Sequence, residues 1–178
     1  RRQGHRHLMP GFALDLTVVD PEDGLPWDFS KAGKREKARR LRREQKPYML
    51  IGSPECKAFC SLHALNKAKS ADPDEYDQAR RRAVKHIEFM VEMYREQMAD
   101  GHYFLHEHPK YATSWSQRCI ESIAKQDGVT TVHGDMCQFG MTTRSGKRSG
   151  EPVKKPTGIL TTGTVIAERL NNRLSILP

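Results

Sequence analysis

Two side chains in this sequence occupy positions where a reactive group is displayed rather than packed away. Cys56 follows the run Gly52-Ser53-Pro54-Glu55, a turn composition placed directly after the apolar segment 48–51. A strand that stops in such a turn holds the next side chains over the edge of its sheet. A cysteine attacks only as thiolate and needs a positive local field; Lys57 stands next to it. Glu107 closes a second short apolar run, 102–107, between His106 and His108 and just before Pro109. A carboxyl group there can give or take a proton. Both residues also have a plainer explanation: an inert packed cysteine, and an edge carboxylate held in an ion pair.

Strand alternation puts His106 and His108 on one face and Glu107 on the other. Zinc-capable side chains occur as Cys56, Cys60 and His63, and again as His102, His106 and His108. Cys-x3-Cys is not the usual Cys-x2-Cys knuckle, and Glu107 points away from the histidine face, so no stable metal is expected.

The elements that position these residues alternate along the chain. Residues 12–17 read as a first strand, 48–51 as a second, 102–107 as a third, 129–132 as a fourth and 158–162 as a fifth. A basic helix is expected over 31–45 with Ser30 as its cap and Pro47 beyond its end. A longer helix starts at Asp72-Pro73 and runs to about Met98, with Ala83, Ile87, Met90, Val91, Tyr94 and Met98 in a core-facing stripe. A third helix is expected over 113–125 and a last one over 165–170. The Gly-, Ser- and Lys-rich stretch 144–155 reads as a mobile loop. Strand–helix alternation implies an α/β fold with a mainly parallel sheet and helices on both faces, its ligand site beyond the carboxyl ends of the strands.

The chain has 178 residues, enough for a single domain over 1–178 with one sizeable core. The first residue is Arg rather than Met, so a fragment of a longer protein is expected, with poorly ordered tails at 1–10 and 171–178. No apolar run reaches the ~20 residues of a membrane helix. Four cysteines without a secretory leader point to reduced thiols in an intracellular setting. Lys and Arg number 30 against 22 acidic residues, a net charge of +8, which favours an anionic partner, nucleic acid foremost. The densest cluster lies between Lys31 and Lys46 and includes Arg39 and Arg43. It reads equally as a solvated helix face or as a phosphate-contacting patch. Lys57, Arg144, Lys154 and Lys155 are further candidates for phosphate contact.

Gly52-Ser53-Pro54-Glu55-Cys56-Lys57-Ala58-Phe59-Cys60 resembles the Pro-Cys loop of DNA cytosine-5 methyltransferases, and 104–109 (FLHEHP) resembles that family's Glu-Asn-Val segment. The stretch 135–140 (DMCQFG) is similar to a later segment of the family, and similar divergent domains occur in mobile-element polyproteins. The resemblance spans roughly residues 12–162. It implies a three-layer Rossmann-like methyltransferase sheet. It also implies that Cys56 attacks carbon 6 of a flipped-out cytosine in DNA while Glu107 holds the base at N3 and its amino group. Asp15, Asp28, Ser53 and Pro54 would then face S-adenosylmethionine. The chain departs from the family's pattern: the Gln-x-Arg-x-Arg segment has no clear match and no separate target-recognition domain fits. Glu55 replaces the loop's second Pro, His108 and Pro109 replace Asn and Val, and the Gly-rich cofactor strand that opens the family's fold is missing. A catalytically silent, nucleic-acid-binding relative is therefore the alternative expectation.

Overall fold

A computed structural model describes residues 9, 11–60, 66–67, 70 and 72–171. The chain forms two compact units, Arg1–Pro47 and Tyr48–Pro178; the tails expected at 1–10 and 171–178 lie almost wholly outside the described residues.

The first unit is organised by charge. Helix α1 (Ala32–Gln45) carries basic residues on most faces and few apolar ones, so hydrophobic burial alone cannot fix it. A short bridge, Val19 with Pro26, closes the loop before it and places Asp20 out of solvent. Asp20 accepts hydrogen bonds from Lys34 (2.7 Å) and Lys37, and Asp23 accepts a second one from Lys34. Trp27 is 4% exposed and lies against both ammonium groups, 4.9 and 5.3 Å from its ring centre. Burial of Asp20 opposes its charge, but the hydrogen bonds from Lys34, Lys37 and the Glu22 N–H outweigh it and hold the carboxyl well below the usual carboxylate range. The expected strand over 12–17 does not form. Phe12 and Leu16 are exposed, and Asp15 closes a turn by accepting from the Thr17 N–H and hydroxyl. A six-residue apolar run has no stability as a strand without a partner edge. Ser30 is not the cap either: Lys31 holds that position, and the Ser30 N–H is bound by Asp28.

The second unit starts with β1 (Met49–Gly52) and a 3-10 turn, Lys57–Phe59. Helix α2 (Pro73–Ala99) is capped by Asp72, which accepts from the N–H groups of Asp74 and Glu75. It ends at Gly101, whose φ of +73° suits glycine. Strand β2 (Tyr103–Pro109) follows, then a 3-10 turn (Thr113–Ser116), helix α3 (Arg118–Ala124), β3 (Thr130–Asp135), a third 3-10 turn (Met136–Phe139), β4 (Pro156–Thr161) and α4 (Thr164–Leu170). The helix expected over 113–125 is broken at the extended residue Gln117, because Ser114 and Trp115 are tied to His108 and to the Pro109 carbonyl.

The sheet has four strands in the order β1-β2-β4-β3, not five and not mainly parallel. β1 and β2 pair in parallel, whereas β4 pairs antiparallel with both β2 and β3. Three strands therefore share one direction, and the reversed one lies among them. The physical reason is the connection. Helix α2 carries the chain back between β1 and β2, as a parallel pair requires. No helix separates β3 from β4, so the chain reverses. Part of that connection, expected to be mobile, is a hydrogen-bonded hairpin: Thr142 bridges Pro152, and Val153 and Thr143 donate to Met141 and Glu151.

One face of the sheet buries Phe104, His106, His108 and Leu160 with Ile87, Tyr94, Ile120 and Ile123 of α2 and α3. The other packs Leu105, Val132 and Ile159 with Ala167 and Leu170 of α4. Two glycines set the spacing on the first face. A Cβ on Gly52 would lie 1.9 Å from the Tyr94 hydroxyl and 2.4 Å from Met90, and one on Gly158 2.5 Å from the Trp115 ring. Tyr94 cannot retreat, since it stacks on Phe104 at 4.6 Å and hydrogen-bonds His106. Gly52→Ala is therefore expected to destabilise the second unit by about 1–3 kcal/mol in urea unfolding. Adding Tyr94→Phe, which removes the atom in closest conflict, should recover part of that loss.

Candidate active site

The register of β1 against β2 pairs Gly52 with His106, so the residue after Gly52 lies beside the residue after His106. Ser53 Oγ donates to Glu107 Oε2 at 2.6 Å. Pairing of β2 with β4 brings a third segment to the same rim: Pro109 lies opposite Thr157, and Lys155 Nζ stands 3.5 Å from Glu107 Oε1. That oxygen is buried and accepts no hydrogen bond within the protein. Glu107 thus meets a hydroxyl on one oxygen and a cation on the other.

Cys56 lies three residues past Ser53 in the same loop, half-buried and unoxidised. The loop is anchored on both sides of it. The backbone of Pro54 and Glu55 lies against the His108 imidazole. Beyond the sulfur, the Phe59 N–H bonds the Cys56 carbonyl, and the fully buried Phe59 ring meets His108 edge-on at 5.8 Å. Arg80 donates to the Ala58 carbonyl, and the Thr113 hydroxyl donates to that of Phe59. A thiol held this way keeps its position without a mobile hinge.

Beneath the loop runs a buried polar column. Tyr94 hydrogen-bonds His106 Nδ1 at 3.0 Å, and Ser114 bonds His108 Nδ1 at 2.6 Å. The two imidazoles stack at 5.6 Å, and Trp115 meets both edge-on. Burial drives both histidines towards the neutral form. For His106 it pushes the pKa down to about 3, with the neighbouring His108 adding to the effect; for His108 burial wins over the attraction of Glu107. Burial likewise pushes the Tyr94 hydroxyl up.

The remaining sequence candidates divide into groups. Alternation holds: His106 and His108 are buried, and Glu107 is on the opposite, half-open side. His102 is at the far end of β2, and no group of His, Cys, Asp or Glu among the described residues can hold a metal ion; His63 lies outside them. Lys57 is exposed beside Cys56. Arg39 and Arg43 both sit on Glu36, at 3.2 and 3.7 Å. Arg144 and Lys154 are exposed in and beside the hairpin. The residues assigned to S-adenosylmethionine do not form a ready cradle. Asp15 and Asp28 each give an oxygen to their own turn, Ser53 gives its hydroxyl to Glu107, and Pro54 offers no side-chain polar group. Sequence reasoning placed Trp115 on the inner side of a helix but missed Ser114, Arg80 and Thr113, which lie far from the cysteine turn in sequence and carried no spacing signal that could have found them. Among the described residues no helix is long and apolar enough to cross a membrane. No family model, curated protein or solved structure matches the chain.

The histidine column gives a pH dependence with a definite sign. Both groups have folded pKa values below the unfolded value of about 6.5, so their contribution is present above pH 6.5 and is lost as pH falls. For His106 the loss continues towards its folded pKa of about 3 and amounts to about 2 kcal/mol between pH 7 and pH 5. Urea unfolding at the two pH values should show at least this drop. A His106→Leu, Tyr94→Phe double variant should show a visibly smaller one.

Proposed function

We propose that the rim formed by the Cys56 loop, Glu107 and Lys155 is the base pocket of a divergent DNA cytosine-5 methyltransferase domain, of the kind that mobile-element polyproteins carry. One observation supports this above the rest. The Ser53–Glu107 hydrogen bond joins the nucleophile's loop to the carboxylate at the end of the neighbouring strand, although the two lie more than fifty positions apart in the chain. DNA as partner and an intracellular setting follow from the same reading.

The chemistry starts at C6 of a cytosine turned out of the stack. The Cys56 sulfur bonds to C6. The electron pair of the C5–C6 double bond shifts towards N3, and N3 takes up a proton through Glu107 that balances the one the Cys56 thiol loses on forming its thiolate. Glu107 then faces the N3–H and the amino group, both donors, through Oε1, which lies 3.5 Å from Lys155 and accepts no hydrogen bond from the described residues. C5 of the adduct is the nucleophile of the reaction, and S-adenosylmethionine is the methyl source that the reading entails. Asp15, Asp28 and Ser53 spend oxygens on neighbours, so no transfer step is derived through them.

That last observation also favours a second reading, a relative that holds nucleic acid without transferring a methyl group. The exposed Glu55, where the family's loop has a second Pro, points the same way.

Base attack and methyl transfer can be tested separately. A duplex with one mismatched 5-azacytosine is expected to form an adduct that survives denaturing electrophoresis, without added S-adenosylmethionine. Cys56→Ala should abolish it, and Glu107→Gln should slow it by about 10²-fold. DNA binding with no adduct at all would discard the nucleophilic role and leave the second reading.

A further inference from the structure

The chain has two strongly basic segments, and the structure treats their charges in opposite ways. In the first unit, residues 11–47 hold nine cations against seven carboxylates, and at least five of the nine are paired with a carboxylate. Lys34 and Lys37 are spent on Asp20, Asp23 and Glu22, Arg39 and Arg43 on Glu36, and Arg40 on Glu22 and Glu44. Residues 141–155 hold five cations against one carboxylate, Glu151. Lys155 is committed to Glu107. Arg144, Lys147, Arg148 and Lys154 are exposed in and beside the hairpin, and none of the four has an ion-pair partner among the described residues.

The first three of these cations are also held in place. The hairpin is closed by the Thr142–Pro152 bridge. Backbone bonds run from Val153 to Met141, Thr143 to Glu151, Gly150 to Thr143 and Ser149 to Gly146. Gly146 and Gly150 take φ of +80° and +90° at its tip, a conformation that side chains on a β-carbon rarely adopt. Two residues past the hairpin, Lys155 reaches Glu107.

We infer that the hairpin of residues 141–153 is the surface that grips the phosphate backbone of nucleic acid beside the rim, and that helix α1 is not. The partner class rests on the function proposed above; the choice of hairpin over helix rests on charge compensation alone. Like charges left unpaired three in five residues destabilise a loop unless an anion joins them. A phosphate contact releases counterions and gains from each such cation. A cation already bonded to a carboxylate must break that bond first. The tip has no apolar or aromatic side chain between Arg144 and Gly150, which is unlike a membrane-inserting surface.

The test uses the whole chain and a labelled 20-base-pair duplex of A·T pairs only. It contains no cytosine, so failure of base attack does not affect the result. Binding is followed by anisotropy from 50 to 200 mM NaCl for the unaltered protein, for Arg144→Gln/Lys147→Gln/Arg148→Gln and for Arg39→Gln/Arg40→Gln/Arg43→Gln. Both variants lose the same net charge, so a difference between them reports location. The hairpin variant is expected to bind at least about 30-fold more weakly at the lowest salt, with the slope of log K on log salt reduced by about 2–3. The helix variant should stay within about threefold of the unaltered protein. The inference is overturned by an equal or larger loss in the helix variant, by an unaffected hairpin variant, or by an unaltered protein that binds anionic phosphatidylserine vesicles but not the duplex. Circular dichroism of both variants guards against unfolding as the cause of a loss.

Discussion

The rim depends on how closely helix α2 approaches the β1–β2 pair at Gly52. With no side chain there, the Tyr94 hydroxyl comes within the space a Cβ would fill and reaches His106 across it. This fixes β1 against β2 in one register, and a slip by one residue would turn every side chain of β1 to the other face. Ser53 would then no longer meet Glu107. Gly158 performs the same service for Trp115 on the β4 side, and β4 is what carries Lys155 to the site. Two missing β-carbons thus decide where a hydroxyl, a carboxylate and an ammonium group come together.

Below the rim the protein has placed polar groups where an ordinary core would be aliphatic. Tyr94, His106, His108 and Ser114 are all buried, and each costs free energy unless it is bonded. The bonds Tyr94–His106 and Ser114–His108 meet half of that need, while the Nε2 atoms of both histidines lack a protein acceptor of good geometry. The column is stiff because its rings interlock, and it is sensitive to acid because burial penalises the charged form of each imidazole. A loop resting on such a support is held by ring packing as much as by hydrogen bonds.

Charge works differently in the two units. In the first it takes the place of a hydrophobic core: one buried carboxylate, two ammonium groups and a tryptophan hold a loop to a helix with hardly any aliphatic contact. Such an arrangement weakens only in strong acid, because its hydrogen bonds hold Asp20 ionised well below the usual carboxylate range. In the second unit the cations of the hairpin are left uncompensated. The same composition, read as one basic chain of net charge +8, conceals this division.

Several features were legible in residue order alone. Asp72-Pro73 announces the start of α2, and its stripe of apolar residues announces its buried face, because caps and helical periodicity are local properties. The extended runs ending in Ser-Pro-Glu-Cys and in Glu-His-Pro were likewise visible, and alternation told which way Glu107 and its flanking histidines point. What tertiary structure decided was pairing. Whether β4 joins the sheet at its edge or between β2 and β3, and whether residues 12–17 find a partner strand, depend on segments far apart in sequence. Local preference is silent on them. The meeting of Ser53 and Lys155 at Glu107 is of this second kind. Its cause is the contact of Gly52 with Tyr94 and of Gly158 with Trp115, and a glycine in a sequence does not say which ring will lie over it.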